Sequence, residues 1–497
     1  MLDLLVVGGG INGAGIARDA AGRGLQVALC EQHDLAAHTS SASSKLVHGG
    51  LRYLEQRQFG LVHRSLAERA TLLRIAPHLV TPLGFVLPHS PQLRPAWMIR
   101  LGLWLYDLLG RGTLPRSRAL RLHGHPFGMP LRDSGGLGFT YTDARVPDAR
   151  LVVLNALDAA ERGARIWPRT TCTRAWRDAQ GWSAELCDAQ GRQRVVHARS
   201  LVNATGPWAA AFCNGISHSR AVPLRLVQGS HIVLPALYGH DHAYLLQQPD
   251  RRIVFAIPFE RQFTLVGTTD VDFHGDPAEA GIDAAQVDYL CAAVNRSFGR
   301  HIERSDVLWS FSGVRPLLDD AQANPSVVSR DYLLDLDSDG APLLNVFGGK
   351  LTTYRRLAEQ AVDLLLHGRA ACPPAWTGTG AVLPGGSRGT PAQVQAWLCE
   401  RWPWLPPALA ARWAGSYGCR AERIIGDADA LPALGEHFGA DLYQAEVDYL
   451  CTCEWVQHAD DLLWRRTKLG LVLDAGQQRH LARWLEARAS TLPNTVP

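Results

Sequence analysis

A chain of 497 residues is too long for one hydrophobic core, so two or three domains are expected. Its 46% hydrophobic and 20% charged residues are those of a soluble globular protein. A net charge of +3, with no basic tail or lysine run, argues against a nucleic-acid partner. The ten cysteines include no C-x-x-C pair, and Cys451 and Cys453 stand too close for a zinc knuckle. Reduced thiols and no metal are therefore expected. The chain opens on a strand-like run without the basic start and cleavage site of a signal peptide. It also lacks the run of about 18 apolar residues needed to cross a bilayer, so a cytoplasmic location is expected.

Leu2–Val7 reads as a buried strand, Gly8 to Gly13 as a turn, Ala14 to Gly24 as a helix and Leu25 to Glu31 as a second strand. A Ser/Thr-rich segment, Thr39 to Lys45, leads into His48-Gly-Gly-Leu-Arg-Tyr53. Helical patterns follow at 60–76 and 149–163, and alternating runs at 164–202 and 221–270 suggest an antiparallel sheet beside the nucleotide domain. Strands at 198–203 and 342–347 return to that domain. After Pro384-Gly-Gly-Ser-Arg-Gly-Thr-Pro391 the composition turns helix-rich and Trp-rich, which marks a linker and a C-terminal helical domain.

Gly8-x-Gly10-x-x-Gly13 lies between strand and helix, the context in which such a turn binds a dinucleotide. The glycines allow a tight turn, close approach of the backbone to a pyrophosphate and close helix packing. Ile11 and Asn12 lie in this turn, ahead of a helix N-terminus whose free N–H groups face the phosphates. Glu31, eighteen residues after Gly13, is placed to accept hydrogen bonds from a ribose. Two distant loops favour FAD over NAD. Asn203-Ala-Thr-Gly-Pro-Trp208 ends a strand in small residues, with Ala204, Thr205 and Gly206 suited to close approach by a flavin dinucleotide. Phe347-Gly-Gly-Lys-Leu-Thr-Thr353 ends another and opens a helix, so Gly349, Lys350, Leu351 and Thr352 can face the flavin.

Together, Val7-Gly-Gly-Gly-Ile-Asn-Gly-Ala-Gly15, Thr39–Tyr53, Gly267-Thr-Thr-Asp270, Ser312-Gly-Val-Arg-Pro316 and Phe347–Tyr354 resemble the aerobic FAD-dependent glycerol-3-phosphate dehydrogenase family. The tail, with Trp455 and Asp460-Asp-Leu-Leu-Trp-Arg-Arg-Thr-Lys468, resembles it too. The resemblance implies an α/β fold: a glutathione-reductase- or amino-acid-oxidase-like FAD domain, an antiparallel substrate domain and the helical domain. The FAD domain is expected to use 1–75, 145–225 and 325–370, the substrate and membrane-proximal domain 76–144 and 226–324, and the helical domain 385–497. The implied reaction oxidises sn-glycerol 3-phosphate to dihydroxyacetone phosphate and passes electrons to a membrane quinone.

Such a reaction needs a hydride acceptor, a group to take the hydroxyl proton, and cations for a dianionic phosphate. Guanidinium groups suit phosphate through paired hydrogen bonds, which singles out Arg52 and Arg315 beside small residues. Lys350 follows two glycines at the flavin-facing helix start. The resemblance adds Tyr53 and Thr268 to the substrate contacts. The resemblance places His231, on an alternating strand, near the reacting carbon as a candidate proton acceptor, and His48 competes with it or touches the flavin. Arg315 can alternatively stabilise a developing alkoxide. The resemblance lays Ser40, Ser41, Ser44, Lys45, His48 and Gly49 along the flavin.

Leu93 to Arg111 is strongly apolar, with Arg100, Asp107 and Arg111 on one stripe between Trp97 and Trp104. Arg111, Arg116, Arg118 and Arg121 follow without an acid among them. That pattern fits an in-plane helix on the cytoplasmic face of an anionic membrane, the alternative being a core helix. The oligomeric state is open, with a homodimer as one candidate. Rival readings are an oxygen-using glycerol-3-phosphate oxidase, an amino-acid oxidase of related fold, and a flavin-binding sensor without turnover.

Overall fold

The computed structural model describes residues 1–55, 57–90, 92–133, 136–319, 331–368 and 373–491, with the side chains of Arg52, Thr379, Ser490 and Thr491 excepted. Residues 56, 91, 134–135, 320–330, 369–370 and 492–497 of the expected domains thus lie outside the described residues. Leu2–Val7 pairs in parallel with Val27–Cys30 on one side and with Gln193–Asn203 on the other. Leu343–Gly348 continues the parallel sheet beyond Gln193–Asn203, and Tyr332–Asp337 closes that edge antiparallel. Such strands are buried on both faces and so carry continuous apolar runs rather than alternation. Helices Ile11–Gly22, Asp148–Glu161 and Tyr354–Leu366 share one core with them. The 148–161 helix is buried from Asp148 through Ala159, which explains its apolar residues all round.

The expected antiparallel sheet divides into two parts. Arg165–Trp167 and the hairpin Thr170–Asp178 and Gly181–Asp188 join the nucleotide sheet itself. Leu224–Pro235, Ala243–Gln247, Ile253–Phe259, Phe263–Gly267 and Trp309–Leu318 belong to a second sheet that also takes Thr81–Pro88 and Leu137–Arg145. Alternation in sequence shows one face of a strand but not the sheet that recruits it. Leu224–Pro235 is central to the site, lying between Phe263–Gly267 and Trp309–Leu318.

The C-terminal residues build a separate helical core, including helices Pro391–Arg401, Pro407–Tyr417 and Gln444–Cys453. Thr390 caps the first of these in a capping box with Gln393. Charged pairs fasten this core to the nucleotide domain. Arg150 binds Glu454 and the Ser416 carbonyl, Arg420 binds Glu161, and Arg466 and Arg465 both reach Asp34. Among the described residues, nine cysteines are free thiols and no helix is long and apolar enough to cross a membrane.

Inside the helical core, the fully buried carboxylate of Glu446 accepts from Arg412 at 2.6 Å, Trp413 Nε1 at 2.9 Å and the Tyr417 hydroxyl at 2.6 Å. Removing it leaves the indole N–H of Trp413 and the hydroxyl of Tyr417 without their acceptor and Arg412 with Asp441 alone. Glu446→Ala is therefore expected to cost about 3–5 kcal/mol in urea unfolding. A loss below about 1 kcal/mol would contradict this reading of the core.

Candidate active site

The nucleotide turn is held by contacts that leave no room for side chains. Gly8 has φ of +112°, and a Cβ there would overlap the Ala204 carbonyl oxygen. A Cβ on Gly13 would overlap the Gly8 carbonyl oxygen. Gly10 stands at the helix start without a side-chain cap of its own. The Ile11 N–H donates to Ser40 Oγ at 3.0 Å. Both Glu31 oxygens accept backbone amides, Oε2 from Gly9 at 2.6 Å and Oε1 from His33 at 2.9 Å. Each oxygen keeps a second acceptor position suited to a ribose hydroxyl. Burial raises the Glu31 pKa, and the two amides pull it back.

The two distant loops meet this turn. Asn203 Nδ2 binds Asn345 Oδ1 at 3.0 Å, which ties the ends of the returning strands, and Thr205 Oγ1 donates to Asn203 Oδ1 at 2.7 Å. Ala204, Thr205 and Gly206 are thereby set against Gly8. Asn12 Nδ2 donates to the Gly348 carbonyl at 3.2 Å. Its Oδ1 is buried with no partner among the described residues. Gly349, at φ +100°, has no space for a Cβ beside Asn12. Leu351 and Thr352 then begin a short helical turn. A glycine-lined strand end, a helix start without its own cap and an orphaned amide oxygen fit a dinucleotide cofactor.

The segment from Ser40 to Tyr53 runs between the two sheets. Ser41 Oγ donates to the His38 carbonyl, and Ser44 Oγ shares a 2.9 Å hydrogen bond with His231 Nε2. Lys45 is buried, 2.8 Å from Asp148 Oδ1 and 2.9 Å from the Ser41 carbonyl. His48 packs edge-on to Phe255, and its backbone touches Thr352 Oγ1. The Gly49 N–H donates to the Tyr106 hydroxyl at 2.8 Å, which in turn donates to Asp143. Burial pushes Asp143 up to about 6 despite the neighbouring Arg69. Arg52 opens the turn Arg52–Glu55, and its side chain lies outside the described residues. Lys350 sits 3.9 Å from the centroid of the Tyr53 ring.

On the second sheet, His231 pairs across strands with Gly267 and with Phe311. It is 1% exposed, its ring is stacked on Phe311 at 4.9 Å, and its Nδ1 has no partner among the described residues. Burial lowers its pKa well below the usual histidine value, and Arg315 and Lys45 push the same way. Arg315 donates to Thr268 Oγ1 at 3.0 Å and is ion-paired with Asp270. Phe255 also pairs with Gly267, so His48, Phe255, Gly267 and His231 form one row. Thr268, next to Gly267, and Arg315 adjoin that row, and the backbone of His48 meets Thr352, two residues after Lys350.

Three acids were not singled out in the sequence. Asp270 orients Arg315, and its signal was its place two residues after Thr268. Asp148 holds Lys45 and both the N–H and hydroxyl of Ser43. Its signal was an acid in the first turn of a helix. Asp143 carried no legible signal, because its partners Arg69 and Tyr106 are distant in the chain.

Comparison with known proteins agrees with this architecture. The FAD dependent oxidoreductase family model matches residues 3–355, and the C-terminal domain of alpha-glycerophosphate oxidase matches 378–489. A glycerol-3-phosphate dehydrogenase of Pseudomonas aeruginosa is 53% identical, covering 98% of this chain and 95% of its own. A D-erythritol 1-phosphate dehydrogenase of Brucella abortus is 48% identical, covering 97% of each. The solved structure of the glycerol-3-phosphate dehydrogenase from Bacillus halodurans, complexed with FAD, matches with a TM-score of 0.77 at 26% identity, covering 99% of this chain and 91% of that one. Cradle, sheet topology and matches together place this chain in the FAD-dependent glycerol-3-phosphate dehydrogenase family, with FAD as its cofactor.

Proposed function

We propose that the chain oxidises sn-glycerol 3-phosphate to dihydroxyacetone phosphate and delivers the electrons to a quinone at the cytoplasmic face of a membrane. The observation that carries the reading is the buried, neutral imidazole of His231 beside Arg315, a guanidinium oriented by Asp270 and Thr268. Arg315, oriented by Asp270 and Thr268, and Lys350, over Tyr53, hold the phosphate dianion, and Arg52 joins them from the adjoining turn. The FAD, when bound, supplies the acceptor for the hydride that leaves the alcohol carbon.

His231 takes the hydroxyl proton in this scheme. Its imidazole is neutral, as a base must be, but burial and two nearby cations weaken it. A bound phosphate dianion counters Arg315 and so strengthens the base when substrate is present. Ser44, on Nε2, fixes the ring's orientation.

The membrane reading rests on helix Ala96–Leu109. One face is buried through Ile99, Leu103 and Tyr106. The other presents Trp97, Leu101, Trp104 and Leu108, from 47% to 69% exposed, so this is not a core helix. The polar stripe is already satisfied: Asp107 accepts from the Ser117 N–H, and Arg100 donates to the Ser117 carbonyl. Arg111, Arg116, Arg118 and Arg121 are exposed beside it. An apolar face with basic residues at its end suits insertion into an anionic interface. Tyr106 backs the Gly49 turn, so the same helix connects that surface to the site.

Three measurements follow. With purified, FAD-loaded protein and a quinone analogue, sn-glycerol 3-phosphate should give the highest kcat/KM. Preference for D-erythritol 1-phosphate would overturn the substrate assignment, and equal turnover with oxygen alone would overturn the quinone assignment. Arg315→Ala should lower kcat/KM on the order of a hundred- to a thousand-fold, and an unchanged value removes Arg315 from the site. Replacing Trp97 and Trp104 together with serine should move the protein from anionic vesicles to the supernatant while turnover with a soluble dye persists. Undiminished sedimentation with vesicles would contradict the membrane reading.

A further inference from the structure

We propose that Trp464, in the C-terminal helical domain, is a positioning residue for His231, acting through Trp309 and Phe311. The inference rests on the reading of His231 as proton acceptor. Phe311 is the direct cross-strand neighbour of His231, and their rings stack at 4.9 Å and 16°. Trp309 lies two residues earlier on the same strand, hence on the same face, with its ring 4.9 Å from Phe311. Trp464 completes the series, stacked on Trp309 at 4.5 Å and 21°. Four rings thus run from the C-terminal domain to the imidazole.

The far end of the stack is firmly held. Trp464 belongs to the π-helical segment Asp461–Arg466, whose Arg465 and Arg466 bind Asp34 at 2.5 and 2.7 Å. Lys468 donates to the Trp464 carbonyl, and a Cβ on Gly470 would crowd the indole. Nearby Leu471 packs against the core that contains Trp309 and Phe311. At the near end, Gly267 leaves no space on the edge of the imidazole and Ser44 holds Nε2. The ring face is therefore set by Phe311, which is held in turn by Trp309, with Trp464 behind it, and by the Lys45 ammonium 4.9 Å from its ring. Removing Trp464 frees the stack to slide and lets the imidazole turn away from the geometry that proton transfer needs.

The test uses the full-length, FAD-loaded protein. Trp464→Ala should lower kcat about tenfold with KM changed less than about twofold, as expected for a misplaced group rather than lost binding. Trp464→Phe should restore most of the loss. His231, 1% exposed, should resist diethyl pyrocarbonate in the native protein, and mass spectrometry should find it modified in Trp464→Ala. In a His231→Asn background the Trp464→Ala change should have no further effect. A native kcat with a still protected His231 would overturn the proposal. So would a loss that Trp464→Phe shares in full, or one that persists without His231. If His231→Asn alone keeps native kcat, the proton-acceptor reading fails, while the modification pattern still decides whether Trp464 positions the ring.

Discussion

The buried ion pair between Asp148 and Lys45 is the contact on which the rest of the site depends. Asp148 stands at the start of a helix otherwise buried in the nucleotide core, and it also takes the N–H and hydroxyl of Ser43. A carboxylate there is favoured by the helix N-terminus, which offsets part of its desolvation. Through it the 39–47 segment is fixed at both ends of its reach. Ser40 meets the nucleotide turn and Ser44 meets His231 on the other sheet. Removing either charge would leave the other buried without its partner, and the segment joining the two sheets would lose its anchor.

The same logic governs the outer parts of the molecule. The 96–109 helix reaches the site through the Tyr106 hydroxyl, Asp143 and Gly49. The C-terminal domain reaches it through Asp34 on one flank and the tryptophan stack on the other. Asp34 lies three residues after Glu31, so the domain that carries Trp464 also braces the loop beside the ribose position. The nucleotide loop, the strands of the second sheet, the 96–109 helix and the C-terminal domain are thereby joined by short polar or aromatic contacts.

Much of this was legible in the chain, where local rules suffice. The glycine turn, the strand ends at 203 and 348, and the linker before Pro391 carry their own signatures in small residues. Long-range pairing was not legible. Lys45 reads as a flavin contact in the sequence, where its ion pair with Asp148, 103 positions away, leaves no local trace. The 170–188 hairpin alternates like any sheet edge, and only tertiary pairing assigns it to the nucleotide sheet. The stripe of Arg100 and Asp107 looked free to meet lipid headgroups, whereas both turn to Ser117. The proposed contact with lipid therefore rests on the exposed tryptophans and not on the stripe.

The central claim is that this site takes a phosphorylated secondary alcohol and removes a hydride and a proton from it. Anaerobic mixing of the yellow, FAD-loaded protein with sn-glycerol 3-phosphate tests it most directly. The account predicts rapid bleaching of the flavin absorbance by one equivalent of substrate, with dihydroxyacetone phosphate as product. A spectrum that stays fully oxidised in excess substrate would contradict it.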